Sequence, residues 1–491
     1  MSSLSYKRGW LSIPTLHYQY WLAYSRRPDG FSSAKIGDEM LGSSILKSGV
    51  IAAMISTLGT TSSALAETAY SGRDKLIAHS DEFQKRIIEV TDGVYAAVGY
   101  SASNVTLIQG KDGSIIVDTS ANPVDAKAIM AAFGERVRHP IKAIIYTHNH
   151  PDHTGGATVF AGKDKPEIYS HKLLVTAKPD TGRGRRDGGD AFGTMLPDED
   201  FINAGTQLEY GRTTPHTRDG FIPPTKTFGG AEKELTIAGV PLKLIFTPGE
   251  ADENISVWLP DPKVLIAGDV FLKTFPNIAP LRGLPTRPVE KWVTSLDKLI
   301  ALGPDFVIPG HMGTIQHAAE AKDALTAYRD GIKFVYSKTM EGIANGKTPD
   351  ELVQDVKLPE KLAKHPYLQE FYGTVAWSVR GIYSQNAGWF DGNPTNIFPL
   401  ADKERAEKLI ALVGGSDKVL KSAQDAQEAG EFQWAAEQAD YLLAVDGKNA
   451  AALDVKIRAF RELGERQMNA TARNYYLTVA NSLKTVRSSD R

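Results

Sequence analysis

The chain has 491 residues, with 56 Lys and Arg against 58 Asp and Glu, 11 His and no Cys. A net charge of -2 gives no electrostatic pull toward nucleic acid or an acidic membrane surface. The missing cysteine excludes disulfide scaffolds, thiolate nucleophiles, Cys zinc sites and iron–sulfur ligation, so any metal must be held by His, Asp or Glu.

In chain order, the first feature is a leader. After Met40 come Lys47, an apolar run over 50–58 and Ala64-Leu65-Ala66 before Glu67. A basic residue, a short apolar stretch and an A-x-A site predict a secretory signal peptide. Translation then starts at Met40, residues 1–39 are an upstream extension, and cleavage follows Ala66. The mature product is expected to be periplasmic or secreted. No other run approaches the ~18 apolar residues of a spanning helix, so no integral membrane span is expected.

From about 85 to 335 the pattern is mixed α/β. Strands are predicted at 94–98, 105–108, 114–117, 142–146, 242–246, 256–259 and 263–266, each bounded by Gly, Pro or Asp. Helical periodicity is found at 124–133 and 292–302. Residues 180–230, rich in Gly, Arg and Asp, have little periodicity, and a segment of that length is expected to be a functional loop. Beyond about 337 strand signals fade, and 416–486 alternates helical patterns with breaks at Gly430, Asp446-Gly447 and Gly464. Residues 426–436 have the look of a helical hairpin of tetratricopeptide type.

Most of the chemistry is concentrated in residues 144–156. An apolar strand ends at Thr147, and His148, His150, Asp152 and His153 follow within six residues. In an extended segment His148 and His150 point to one side and can reach one ion. Asp152 and His153 begin a turn and can address a second ion. Imidazole and carboxylate together suit Zn²⁺, with Fe or Mn as alternatives.

This HxHxDH segment resembles the metal motif of the metallo-β-lactamase superfamily, whose fold is an αββα sandwich with metals at one edge. The resemblance implies further ligands at later strand ends. Glu250 follows Thr247-Pro248-Gly249, Asp269 follows Ala267-Gly268, and His311 follows Ile308-Pro309-Gly310. Glu250, where most of the superfamily has His, is similar to the alkylsulfatase branch. That likeness implies two Zn²⁺ per chain. His148, His150 and Glu250 would hold one, and Asp152, His153 and His311 the other, with Asp269 bridging. Glu253 is a competing ligand three residues after Glu250.

The likeness extends beyond the ligands. Asn277, Arg282 and the intervening residues resemble the segment that holds sulfate oxygens in that branch, and a planar guanidinium suits a tetrahedral oxyanion. Arg183, Arg185 and Arg186 with Phe192-Gly193 are similar to a loop that covers the site, which makes Phe192 a candidate substrate contact. Residues 365–400, including Trp389-Phe390-Asp391-Gly392-Asn393-Pro394, are similar to the helical dimerisation region. The implied organisation is a leader (1–66), a metallo-β-lactamase-like catalytic domain (67–335) and an all-α dimerisation domain (336–491) that forms a homodimer. Related enzymes commonly add a sterol-carrier-like domain. This chain ends at Arg491, soon after the helical part, and it is expected to lack that domain.

The implied reaction is hydrolysis of a sulfate ester, alkyl or aryl, to alcohol and inorganic sulfate by a metal-activated hydroxide. Asp269 would position that hydroxide, while Arg282 and Asn277 neutralise charge on the sulfate. A binuclear metallohydrolase of another ester class (lactone, thioester or phosphoester) would share the ligands but would not need Asn277 or Arg282.

Overall fold

The computed structural model describes residues 70–176, 188–209, 211–212, 219–283 and 286–489. The leader and Arg183, Arg185 and Arg186 lie outside the described residues. The first sheet contains β1 (Arg86–Thr91), β2 (Val94–Val98), β3 (Val105–Gly110), β4 (Gly113–Val117), β5 (Ile141–Ile145), β6 (Glu167–His171) and β7 (Lys226–Phe228), in that spatial order. β1 to β4 form an antiparallel meander, and β4 to β7 run parallel. The second sheet contains β8 (Glu232–Ile237), β9 (Val240–Phe246), β10 (Ile255–Leu259), β11 (Val264–Gly268) and β12 (Phe306–Pro309), with β11 and β12 parallel.

The burial pattern explains the layering. β2, β4, β10 and β11 are buried along their whole length, so both of their faces are covered. In β10, Ile255, Val257 and Leu259 join Val117 and Ile145 of the first sheet in a core between the sheets. Trp258, on the opposite face, joins a second core beneath the helices. The outer face of the first sheet is capped by α1 (Pro123–Phe133), whose Ala126, Ile129 and Phe133 pack on Leu107, Ile116 and Ile144. Asn122 caps α1 by accepting from Val124 N and Asp125 N, and Pro123 fits its first turn. The outer face of the second sheet is covered by α2 (Val289–Ala301), α3 (Ala318–Ala344) and α4 (Val375–Ala387). In α2, Val289, Trp292, Leu296 and Leu299 recur at helical spacing and form the buried stripe. This is the expected αββα sandwich.

The remaining chain is helical: α5 (Asp402–Val413), α6 (Ser416–Glu428), α7 (Phe432–Val445), α8 (Ala450–Glu465) and α9 (Ala470–Ser489). The expected hairpin is α6 and α7, joined through Gly430 and packed through Ala423, Ala426, Phe432, Ala435 and Ala439. The helical part also reaches the catalytic edge. Phe275 N donates to Gln369 O, Asn469 Nδ2 donates to Tyr372 O, and Ala470 N donates to Phe371 O. The segment around Phe371-Tyr372 is thereby held between the loop after β11 and the start of α9. No helix among the described residues is long and apolar enough to cross a membrane.

Candidate metal centre

The expected ligands come from four chain segments that end at one edge of the sandwich. His148 and His150 follow β5. Pro151 opens a single helical turn, Pro151–Thr154, and His150 before it is extended at φ -61 and ψ 143. A residue before proline disfavours the helical region. The local chemistry of the sequence therefore separates an extended His150 from a helical Asp152/His153 pair. Asp269 follows β11 and His311 follows β12, while Glu250 lies in the turn between β9 and β10.

Two glycines make the convergence possible. Gly268 has φ +61, a conformation that disfavours side chains, and a Cβ there would approach Thr147 Cβ to 2.9 Å. At Gly310 a Cβ would overlap Asp269 Oδ1. The bare backbone at 310 is thus the space that the Asp269 carboxylate occupies.

The seven side chains form three overlapping groups: His148, His153 and Asp269; Asp152, His153 and His311; and His150, Glu250 and Asp269. Within each group the ligating atoms lie within 4.8 Å of one another. Asp269 lies between the sets, with Oδ1 3.5 Å from His153 Nε2 and Oδ2 3.3 Å from His311 Nε2. His148 Nε2 is 2.8 Å from His150 Nδ1. Glu253 belongs to none of these groups. Its carboxylate accepts from Asn149 N at 3.1 Å and braces the loop between the two histidines.

Electrostatics fit a cation site. Burial holds His148 down at about 3, with His153 adding to the effect, and burial plus His148 hold His150 well below the ordinary value. Both rings are therefore neutral, as ligands must be. Burial would lower His153, but Asp269, Asp118 and Asp152 outweigh it and raise it well above 6.5. Burial would raise Asp269, but His311 and His153 hold it well below the usual carboxylate range. Three converging carboxylates thus draw positive charge into the cluster. His153 Nε2, Glu250 Oε2 and Asp269 Oδ1 are buried without hydrogen-bond partners. Orphaned donors and acceptors of this kind are what metal ligation would satisfy.

Several supporting residues were not legible in the sequence. Asp118, at the end of β4, accepts from Thr147 N, Thr147 Oγ1 and His153 Nδ1, each at 2.8 Å. His311 Nδ1 donates to Ala102 O at 2.6 Å, which leaves its Nε2 for the cluster. Arg287 Nη2 donates to Glu250 Oε1 at 2.7 Å. Trp292 Nε1 donates to Val270 O and Ser295 Oγ donates to Pro248 O, so α2 clamps the loops that carry Asp269 and Glu250.

A small cavity of about 40 Å³ is lined by His150, Asp152, Glu250, Asp269 and His311 of the cluster. Arg282, Phe192, Tyr372, Thr206, Gln207 and Leu272 line it as well. Arg282 Nη1 donates to Tyr372 Oη at 3.1 Å, and its guanidinium lies 5.4 Å from the Phe192 ring centroid. Asn277 is buried on the same loop as Arg282 but is not among the residues lining the cavity. Tyr372, Thr206 and Gln207 lie far in sequence from the ligands, in segments with no metal-type motif.

Residues 98–311 match the family described as Metallo-beta-lactamase superfamily, and residues 348–486 match Alkyl sulfatase dimerisation. The chain is similar to a linear primary-alkylsulfatase of Pseudomonas sp., 39% identical over 392 residues that cover 77% of this chain and 73% of that protein. A second linear primary-alkylsulfatase of Pseudomonas sp. is 30% identical over 416 residues. Those residues are 81% of this chain but only 61% of the relative, so the chain spans less than two thirds of that protein's length. The structure of a stereoselective inverting sec-alkylsulfatase from Pseudomonas sp. aligns with a TM-score of 0.74 at 26% identity, covering 82% of this chain and 66% of that one. The sandwich, the ligand cluster and these likenesses agree, and the chain belongs to the alkylsulfatase family of the metallo-β-lactamase superfamily, enzymes that hydrolyse sulfuric ester bonds.

Proposed function

We propose that this protein hydrolyses sulfate esters, alkyl sulfates first among them, to alcohol and inorganic sulfate, with two Zn²⁺ held by His148, His150, Asp152, His153, Glu250, Asp269 and His311. The observation that carries this reading is Arg282, a guanidinium lining the same small cavity as His150, Asp152, Glu250, Asp269 and His311. Divalent cations in such a site bring the pKa of a bound water toward neutrality and stabilise oxyanion charge. The chain's own residues supply the rest. Arg282 pairs with two sulfate oxygens through its fork, and Tyr372 holds that fork in place by accepting from Nη1. Thr206 and Gln207 offer further polar groups, and Phe192 gives the sulfate neighbourhood an apolar wall. A cavity of about 40 Å³ has room for only a few waters, so it suits an anionic headgroup. The alkyl chain is then expected to extend past Phe192 toward the loop that follows.

The proposed setting is a homodimer exported to the periplasm or beyond. Dimerisation is supported by the match over residues 348–486 and by exposed apolar side chains in that region, Trp389 at 75% and Phe398 at 93%. Export is supported by the leader motif ending at Ala66. The deciding experiment is a sulfate-release assay over alkyl sulfates of graded chain length, beside phosphate esters and lactones. Turnover confined to the latter two would refute the sulfate reading in favour of another ester class. A mature N-terminus other than Glu67 would count against the cleavage site.

A further inference from the structure

Glu250 and Arg287 make a buried ion pair behind the cluster, with side chains 4% and 8% exposed. Arg287 Nη2 donates to Glu250 Oε1 at 2.7 Å, and Nη1 donates to the backbone oxygen of the same residue. Glu250 Oε2 has no hydrogen-bond partner, and Glu250 groups with His150 and Asp269. Both ends of the pair are fixed. Arg287 N donates to Ile278 O at 3.0 Å, and Trp292 N donates to Pro288 O at 2.9 Å. The Trp292 ring in turn packs so closely on Gly249 that a Cβ there would come within 2.8 Å of it. A guanidinium reaches the backbone oxygen and the carboxylate of one residue with two donors at fixed planar spacing, where a lysine would offer a single compact ammonium on a flexible stem.

We infer that Arg287 is the positioning residue of Glu250: its fork occupies one carboxylate oxygen, leaves the other for a cation, and offsets the charge of the cluster's third carboxylate. The inference rests on the proposal that Glu250 ligates a metal. Asp152, Glu250 and Asp269 converge in one buried cluster, and a buried carboxylate without a counter-charge is costly. Arg287 does not line the cavity, and its hydrogen bonds to the cluster are those to Glu250. A neutral imidazole at position 250 would need no counter-charge, and Arg287 would then become an unpaired buried cation beside His150.

That coupling can be tested by zinc stoichiometry and chelator-competition affinity on the purified full chain, with no substrate present. Wild type is expected to bind two Zn²⁺. Glu250→His should bind its weaker ion at least about tenfold less tightly, the scale of a disturbed outer ligand contact. Glu250→His combined with Arg287→Met should recover to within about threefold of wild type. If Glu250→His alone fails to fold, melting of the chelator-treated proteins carries the test, because the double variant, with no unpaired buried charge, should melt above Arg287→Met. A double variant no better than Glu250→His in zinc affinity, or no more stable than Arg287→Met, would overturn the pairing. Wild-type protein that binds no Zn²⁺ would instead overturn the metal reading beneath it.

Discussion

His153 and Asp118, 35 residues apart in sequence, meet through a 2.8 Å contact between Nδ1 and Oδ2, with both side chains buried. This contact sets the ring orientation, because Nδ1 is committed to Asp118 and Nε2 faces Asp152 and Asp269. A carboxylate behind a ligating histidine fixes its tautomer and raises its basicity.

Asp118→Asn is therefore expected to weaken metal binding about 10- to 100-fold, the usual cost of losing such a partner. Asn keeps the shape but can present its amide nitrogen to Nδ1, a donor against a donor. Chelator competition on the purified variant measures the effect. Wild-type affinity would show that His153 orients itself without help.

Arg282→Ala should abolish sulfate-ester turnover while leaving metal content unchanged, since Arg282 lines the cavity but belongs to none of the three groups. Tyr372→Phe removes one hydrogen bond to that guanidinium, and at about 0.5–1.5 kcal/mol it should raise KM by roughly two- to tenfold. Metal analysis beside steady-state kinetics separates the two effects. Normal alkyl-sulfate turnover by Arg282→Ala would end the assignment of that residue.

The clustering of the seven side chains was legible in two ways: His148 to His153 lie within six residues, whereas Glu250, Asp269 and His311, each after an apolar run, were reached through the family resemblance. The residues that hold the ligands were not legible. Asp118 follows the Ile115-Ile116-Val117 run as any turn aspartate might, and its role exists only because parallel pairing places β4 beside β5. Arg287 and Tyr372 become partners of the site through packing of α2 and of the segment before α4. Strand prediction missed β1, β6, β7 and β8; β6 is mostly buried but carries only the Ile168-Tyr169 apolar pair, and the others are short or largely exposed and half-buried. β7 has only three residues, and β8 alternates exposed and half-buried positions at a sheet edge, which leaves little apolar signal.

Gly310→Ala tests the geometry of the Asp269 carboxylate. The added methyl would take the place of Asp269 Oδ1, so either Asp269 or the strand end must move. Overpacking of this kind costs about 1–3 kcal/mol, and here it is expected to appear chiefly as lost metal. Gly447→Ala is the control, since its nearest neighbour would be Leu443 O at 3.7 Å. Equal metal content in wild type and Gly310→Ala would mean that Asp269 need not occupy that space.

His79 makes stability depend on pH at a point just behind the cavity wall. Its ring stacks on Phe371 at 3.9 Å, meets Phe83 edge-on, and its Nε2 donates to Gly205 O at 3.0 Å. Phe371 and Gly205 are the chain neighbours of Tyr372 and Thr206. Burial pushes His79 down to about 4, against the opposing pull of the Gly205 contact and Glu82. Between about 6.5 and about 4 the unfolded chain binds this proton and the folded chain does not, so stability rises with pH. The contribution is complete above about 6.5 and is lost as the pH falls through about 4, an effect of up to about 3 kcal/mol. His79→Gln keeps an N–H donor within reach of Gly205 O but cannot titrate. The melting-temperature gap between wild type and His79→Gln should therefore narrow as the pH falls from about 7.5 to about 5, measured with both proteins in the same metal state so that ligand titration cancels. A gap that does not change with pH would show that His79 is held no more strongly in its neutral form than it is in the unfolded chain.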